Sequence, residues 1–130
     1  ATARTTVLGA ADEKTFMTFG DVELEIDAEP TLLTQCTCSI CRRYAALWGF
    51  FTRASARLLS APEKSKVYIW GDKLVEFYHC ASCGCVTHYE DIEKTPQGRL
   101  AINFRLLAPK NYSNIAIRTF DGADTWQYLD

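Results

Sequence analysis

The sequence predicts a mostly β fold built from short strands, with minor helix. Three observations lead there. Apolar and polar residues alternate in short runs, cleanest in "DVELEID". Turn material such as "PQG" and "APKN" separates these runs. No segment carries the long stripe of an amphipathic helix, and neither a low-complexity tract nor an internal repeat appears.

Taken in order, residues 1–15 have no period and many small side chains, so a loose N-terminal segment is expected, followed by a single zinc-binding β domain over residues 16–130. In "DVELEID", Val22, Leu24 and Ile26 point one way and Glu23, Glu25 and Asp27 the other, as on a half-buried strand. "AEPTLL" holds a proline and reads as a loop. Arg42 to Leu47 suits a short helical turn, and the bulky stretch from Trp48 to Thr52 suits a strand ended by "RASAR". Five further strand candidates follow: "KVYIW", "LVEFYHC", "VTHYE", "RLAINFRLL" and "IAIRTF". The first two read as a hairpin around Gly71 and Asp72. Trp48, Phe50, Tyr78 and Trp126 are expected in the core or a pocket wall, where aromatics at strand spacing usually sit.

The totals exclude several roles. Of 130 residues, 48% are hydrophobic, enough for a packed core without covalent staples. Fourteen Lys and Arg against sixteen Asp and Glu leave a net charge of −2, which offers no basic field for nucleic acid. No apolar run approaches the roughly 20 residues that span a bilayer. The first residues also lack the layout of a signal peptide, so a cytoplasmic protein with no membrane partner is expected.

The six cysteines carry the chemistry. Cys36, Cys38 and Cys41 are too close together for unstrained disulfides among themselves, whereas one tetrahedral cation gathers such neighbours easily. Cys80-x-x-Cys83-Gly84 has knuckle spacing, with the glycine letting the backbone turn back. All of these donors are soft thiolates, which favours Zn²⁺. Spacing alone leaves two arrangements open. One is a closed four-sulfur staple made from both clusters. The other is an open site in which Cys36, Cys38 and Cys41 leave the fourth corner to water or a substrate sulfur. Such a site is anionic, and Arg42 and Arg43 follow at once as candidate substrate-binding cations. A thioredoxin-like redox pair lacks its βαβ surroundings. His79 alternates with Cys80 on its strand, which keeps the two from one ion. His88 is a candidate pocket residue and general base.

"CTCSICRRYAALWGFF" and "VYIWGDKLVEFYHCASCGCVTHY", with weaker matches in "RLAINFRLLAP" and "FDGADTW", resemble the glutathione-dependent formaldehyde-activating enzyme family, which includes relatives of centromere protein V. The resemblance implies a β-tent of small antiparallel sheets with zinc knuckles. It also implies a catalytic zinc on Cys36, Cys38 and Cys41 and a structural zinc on Cys80, Cys83 and an earlier C-x-C. In "MTFGDVELEI" that earlier pair is replaced by Met17 and Phe19, neither a suitable zinc ligand. Either this apolar pair packs where the ion sat, leaving Cys80 and Cys83 as buried thiols, or those thiols recruit Cys85, Cys41 or His88. The expected activity is carbon–sulfur lyase-like, on a glutathione or other thiol adduct. A non-catalytic zinc module that binds a thiol or a protein is the alternative.

Overall fold

The computed structural model describes residues 15–69 and 74–130. The turn expected around Gly71 and Asp72 lies outside the described residues, as does the N-terminal segment up to residue 14. The described fold is mostly β, in two sheets.

The smaller sheet begins with a hairpin of β1 (Thr15–Phe19) and β2 (Val22–Ile26). Phe19 pairs with Val22, so Gly20 and Asp21 alone make the turn. Gly20 takes a φ of 61°, which glycine adopts without strain. Val22, Leu24 and Ile26 are fully buried, as the alternation requires. "RASAR" does more than end a strand, because Ala56 opens a short β5 (Ala56–Leu58) that pairs with β2. Arg57 secures that edge through Glu25 and Asp27.

The larger sheet also contains β3 (Leu32–Cys36), β4 (Trp48–Thr52), β6 (Ser65–Ile69), β7 (Val75–Cys80), β8 (Val86–Asp91), β9 (Arg99–Asn103) and β10 (Ala116–Phe120). Their order is β10-β3-β4-β9-β8-β7-β6. Neighbours run antiparallel except β10 and β3, which are parallel and bring Phe120 beside Cys36. "AEPTLL" therefore is not wholly loop: its last two residues open β3, an interior strand with Leu33 fully buried and Thr34 nearly so. The single α-helix among the described residues, α1 (Ser39–Tyr44), starts inside the cysteine motif, earlier than the expected Arg42–Leu47 turn. Ala45 closes it at a φ of 52°, its N–H donating to the Arg42 carbonyl. "RLAINFRLL" splits into β9 and a 3-10 turn over Phe104–Leu106. Asn103 makes the break by accepting the N–H groups of Arg105 and Leu47.

Two apolar clusters hold the fold together. One packs Met17, Phe19, Leu24, Leu33, Ile102 and Phe104 around Cys80. The other packs Ile40, Trp48, Phe77 and Tyr89 around Cys41. The two cysteine motifs thus belong to different parts of the core. No helix of the described residues is long and apolar enough to cross a membrane.

Candidate metal centre and cavity

Cys36 closes β3, Cys38 caps α1 and Cys41 lies in the first helical turn. Residues three apart share a helix face, so Cys38 and Cys41 turn toward the sulfur carried in by the strand end. The three Sγ atoms lie within 4.8 Å of one another. A tetrahedral zinc with its usual bond lengths holds sulfurs about 3.8 Å apart, so the donor set fits the ion with a small contraction. Cys41 is buried, and Cys36 and Cys38 are half-buried. Among the described residues, no fourth Cys, His, Asp or Glu side chain joins this group, Cys80 and Cys83 included.

Three N–H groups face these sulfurs, the Cys38 backbone N–H among them, which lowers the Cys36 thiol. Trp48 Nε1 donates to Cys41 Sγ at 3.4 Å. The Gly122 N–H donates to the Phe120 carbonyl at 3.0 Å and, lying beside Cys36, also lowers that thiol. A Cβ on Gly122 would stand 2.5 Å from Cys36 Sγ, so only glycine permits this approach. The parallel β10–β3 pairing delivers that loop. Thr37 N–H donates to the Phe120 carbonyl at 3.0 Å, and Thr37 Oγ1 to Asp121 Oδ1 at 2.7 Å. The Thr37 hydroxyl, with the Thr125 N–H, lowers the Asp121 carboxyl. The thiols also share protons. Hydrogen bonding from Cys41 lowers the Cys36 thiol, while the same bond, reinforced by burial, raises Cys41.

All three cysteines line a cavity of about 820 Å³. Its wall is aromatic. Trp48 packs edge-on against Tyr89 with centroids 4.8 Å apart, and Phe120 likewise meets Trp126 at 5.2 Å and Tyr128 at 5.1 Å. Burial pushes the Tyr89 phenol up to about 12, keeping it protonated. Asp91 and Arg99 supply the opposite charges on the wall. The Arg99 backbone N–H donates to Asp91 Oδ2 at 2.9 Å, and its guanidinium lies 5.0 Å over the Phe50 ring.

Arg42 and Arg43 are exposed in the last turn of α1 and are not among the lining residues. Positive charge there suits the negative end of the helix. His88 is fully buried and does not line the cavity either. Its ring stacks on Tyr78 at 4.4 Å, and Nδ1 lies 2.8 Å from Thr87 Oγ1. Burial, aided by the Lys94 charge, pushes it down to about 3. Arg99 and Asp91 on the cavity wall, and Gly122 against Cys36, are among the residues that reading the sequence did not single out. "FDGADTW" held the one hint of Gly122, and the other two carried none that spacing could reveal.

The family model for the glutathione-dependent formaldehyde-activating enzyme matches residues 18–120, which include both cysteine motifs. The chain belongs to that family. Membership supports a glutathione-linked, formaldehyde-activating or lyase-like chemistry. A crystal structure of a Rhodobacter sphaeroides protein, a Northeast Structural Genomics target, matches with a TM-score of 0.60 at 23% identity. The match covers 75% of this chain and 93% of that one, and it shows a shared fold. Among curated proteins, none matches this chain.

At the second motif Cys80 is buried and Cys83 half-buried. Met17 and Phe19 are fully buried in one cluster with Cys80, and Cys83 packs against it. Fully burying side chains of this size stabilises by roughly 1.5–3 kcal/mol each. The knuckle nonetheless keeps its shape. Gly84 N–H donates to the Cys80 carbonyl and Cys80 N–H to the Cys85 carbonyl, both at 2.9 Å. Burial raises the Cys80 thiol, but the N–H groups of Asp21, Cys83 and Ser82 outweigh it and leave the thiol lowered. A Cβ on Gly20 would stand 3.0 Å from Cys80 Sγ and 3.2 Å from Cys83 Sγ, so the hairpin turn lies directly on both sulfurs.

Proposed function

We propose that this chain is a zinc-dependent carbon–sulfur lyase-like enzyme acting on a glutathione or other thiol adduct, with Cys36, Cys38 and Cys41 as the zinc ligands. The observation that carries this reading is the convergence of three sulfurs on the cavity wall, with no fourth protein donor in their group among the described residues. Bound there, zinc supplies Lewis acidity and a free vertex for a substrate sulfur. The N–H groups of Trp48 and Gly122 spread the charge of the thiolates, which lowers the cost of bringing in another sulfur. In a hemithioacetal the reaction breaks the C–S bond. The hydroxyl proton leaves, the carbonyl forms, and the C–S electron pair departs with the thiolate. Asp91 takes that proton in this reading, being the acidic side chain among the described lining residues.

The loss of the second site favours one competing reading, a zinc module without catalysis, since Met17 and Phe19 fill the place of two family cysteines. Metal content and turnover separate the two. About one zinc per chain is expected, lost in Cys38→Ser and kept in Cys80→Ser. Cys38→Ser should also lose at least ~100-fold in C–S cleavage across a panel of thiol adducts. A zinc-loaded protein with no metal-dependent rate on that panel is the non-catalytic module.

A further inference from the structure

The cavity is poorly matched to glutathione itself. A tripeptide with two carboxylates and an ammonium needs several fixed charges, and the described wall offers one cation, Arg99, whose guanidinium donates to Tyr89 Oη at 3.4 Å and lies over Phe50, and one anion, Asp91. The remaining surface is mostly aromatic. Trp126 makes the point most strongly. It is 71% exposed, yet it lines the cavity and sits at a φ of 61°, a region costly for a residue with a large side chain. Asp121 holds it there: its carbonyl accepts the Trp126 N–H at 2.7 Å, and its carboxylate accepts from Thr125. A backbone cost borne to keep an indole in water at a cavity mouth is the mark of a ligand platform.

We infer that the preferred substrate is a thiol adduct whose body is an aromatic or other bulky apolar group bearing a single carboxylate. The apolar body lies against Trp126, Phe50 and Tyr128, and the carboxylate meets the Arg99 guanidinium. Arg99 is a specificity residue at the opposite charge pole from the cysteines. This inference rests on the lyase reading for the reaction, but the binding preference can be measured without turnover.

The test uses zinc-loaded full-length protein and three unreactive thioethers in calorimetric titrations: 3-(benzylthio)propanoate, neutral benzyl methyl sulfide and S-methylglutathione. The benzylthio acid should bind at least ~10-fold tighter than S-methylglutathione, a difference of about 1.4 kcal/mol. Arg99→Met should weaken the acid about 10-fold and leave the neutral sulfide within about 2-fold, while Arg99→Lys restores most of the loss. Trp126→Ala should weaken both benzyl probes. S-methylglutathione binding tightest, or Arg99→Met weakening the acid and the neutral probe alike, overturns the inference. If the predicted order holds while no adduct is cleaved, the lyase reading fails and the ligand preference stands. If a glutathione adduct is cleaved fastest and its thioether binds tightest, the reverse is true.

Discussion

The two cysteine motifs of this chain have had opposite fates. Around Cys36, Cys38 and Cys41 the protein keeps sulfurs converged, N–H donors aimed at them and a large cavity alongside. Around Cys80 and Cys83 it keeps the turn and the N–H pattern but surrounds them with Met17 and Phe19. The difference teaches that one cysteine motif is built into an apolar cluster beneath a hairpin turn, whereas the other is turned toward an open cavity. The motif beside the cavity is also the one whose three sulfurs lie within 4.8 Å of one another.

The comparison can be broken at several points. The largest stability effect is expected at Phe19, where Phe19→Ala should cost about 3–5 kcal/mol in urea unfolding without changing zinc content. A loss of zinc instead would mean that the two regions are coupled. The complementary change, Met17→Cys with Phe19→Cys, should raise bound zinc by about one ion per chain, because the knuckle is still folded to receive it.

Next comes acid. His88 is held at about 3, well under its unfolded value of 6.5, by burial. Both states are neutral above the unfolded value. As pH falls through the window from 6.5 to about 3, only the unfolded chain takes up the proton, so stability drops by up to about 1.4 kcal/mol per pH unit. Urea midpoints measured across that range should lose this slope in His88→Phe. An unchanged slope would assign the acid sensitivity to other groups.

Gly122→Ala should weaken zinc retention against a chelator by about 10–100-fold, since the new methyl would displace Cys36 Sγ, while leaving global stability little altered. The smallest effect belongs to Arg42. Arg42→Ala should shift stability by no more than about 0.5 kcal/mol, as expected of an exposed cation at a helix end, and leave binding of a carboxylate probe unchanged. A large loss of carboxylate affinity there would return the substrate charge to the helix.

How much of this was legible beforehand depended on locality. The alternation in "DVELEID" is a local pattern that predicted a half-buried strand, and the spacing of Cys36, Cys38 and Cys41 predicted a cluster that could hold a metal ion. "AEPTLL" misled because β3 is an interior strand in which the adjacent Leu33 and Thr34 are both buried, so its apolar pair "LL" shows no alternation beside the proline. β5 is only three residues long and α1 only six, too short to display any period. The arginines nearest the cysteines in sequence attracted the substrate role, whereas the one on the cavity wall arrives from β9, two strands away from β3 in the sheet. Gly122 matters only because β10 lies parallel to β3, a pairing that no short window contains.

That parallel pairing also sets an order of events during synthesis. The three thiols become neighbours through a strand end and one helical turn, yet the contact between Thr37 and Asp121 spans 84 positions. Long-range closure of this kind comes late. The three sulfurs are therefore brought together by local structure before the Trp126 side of the cavity is closed against them.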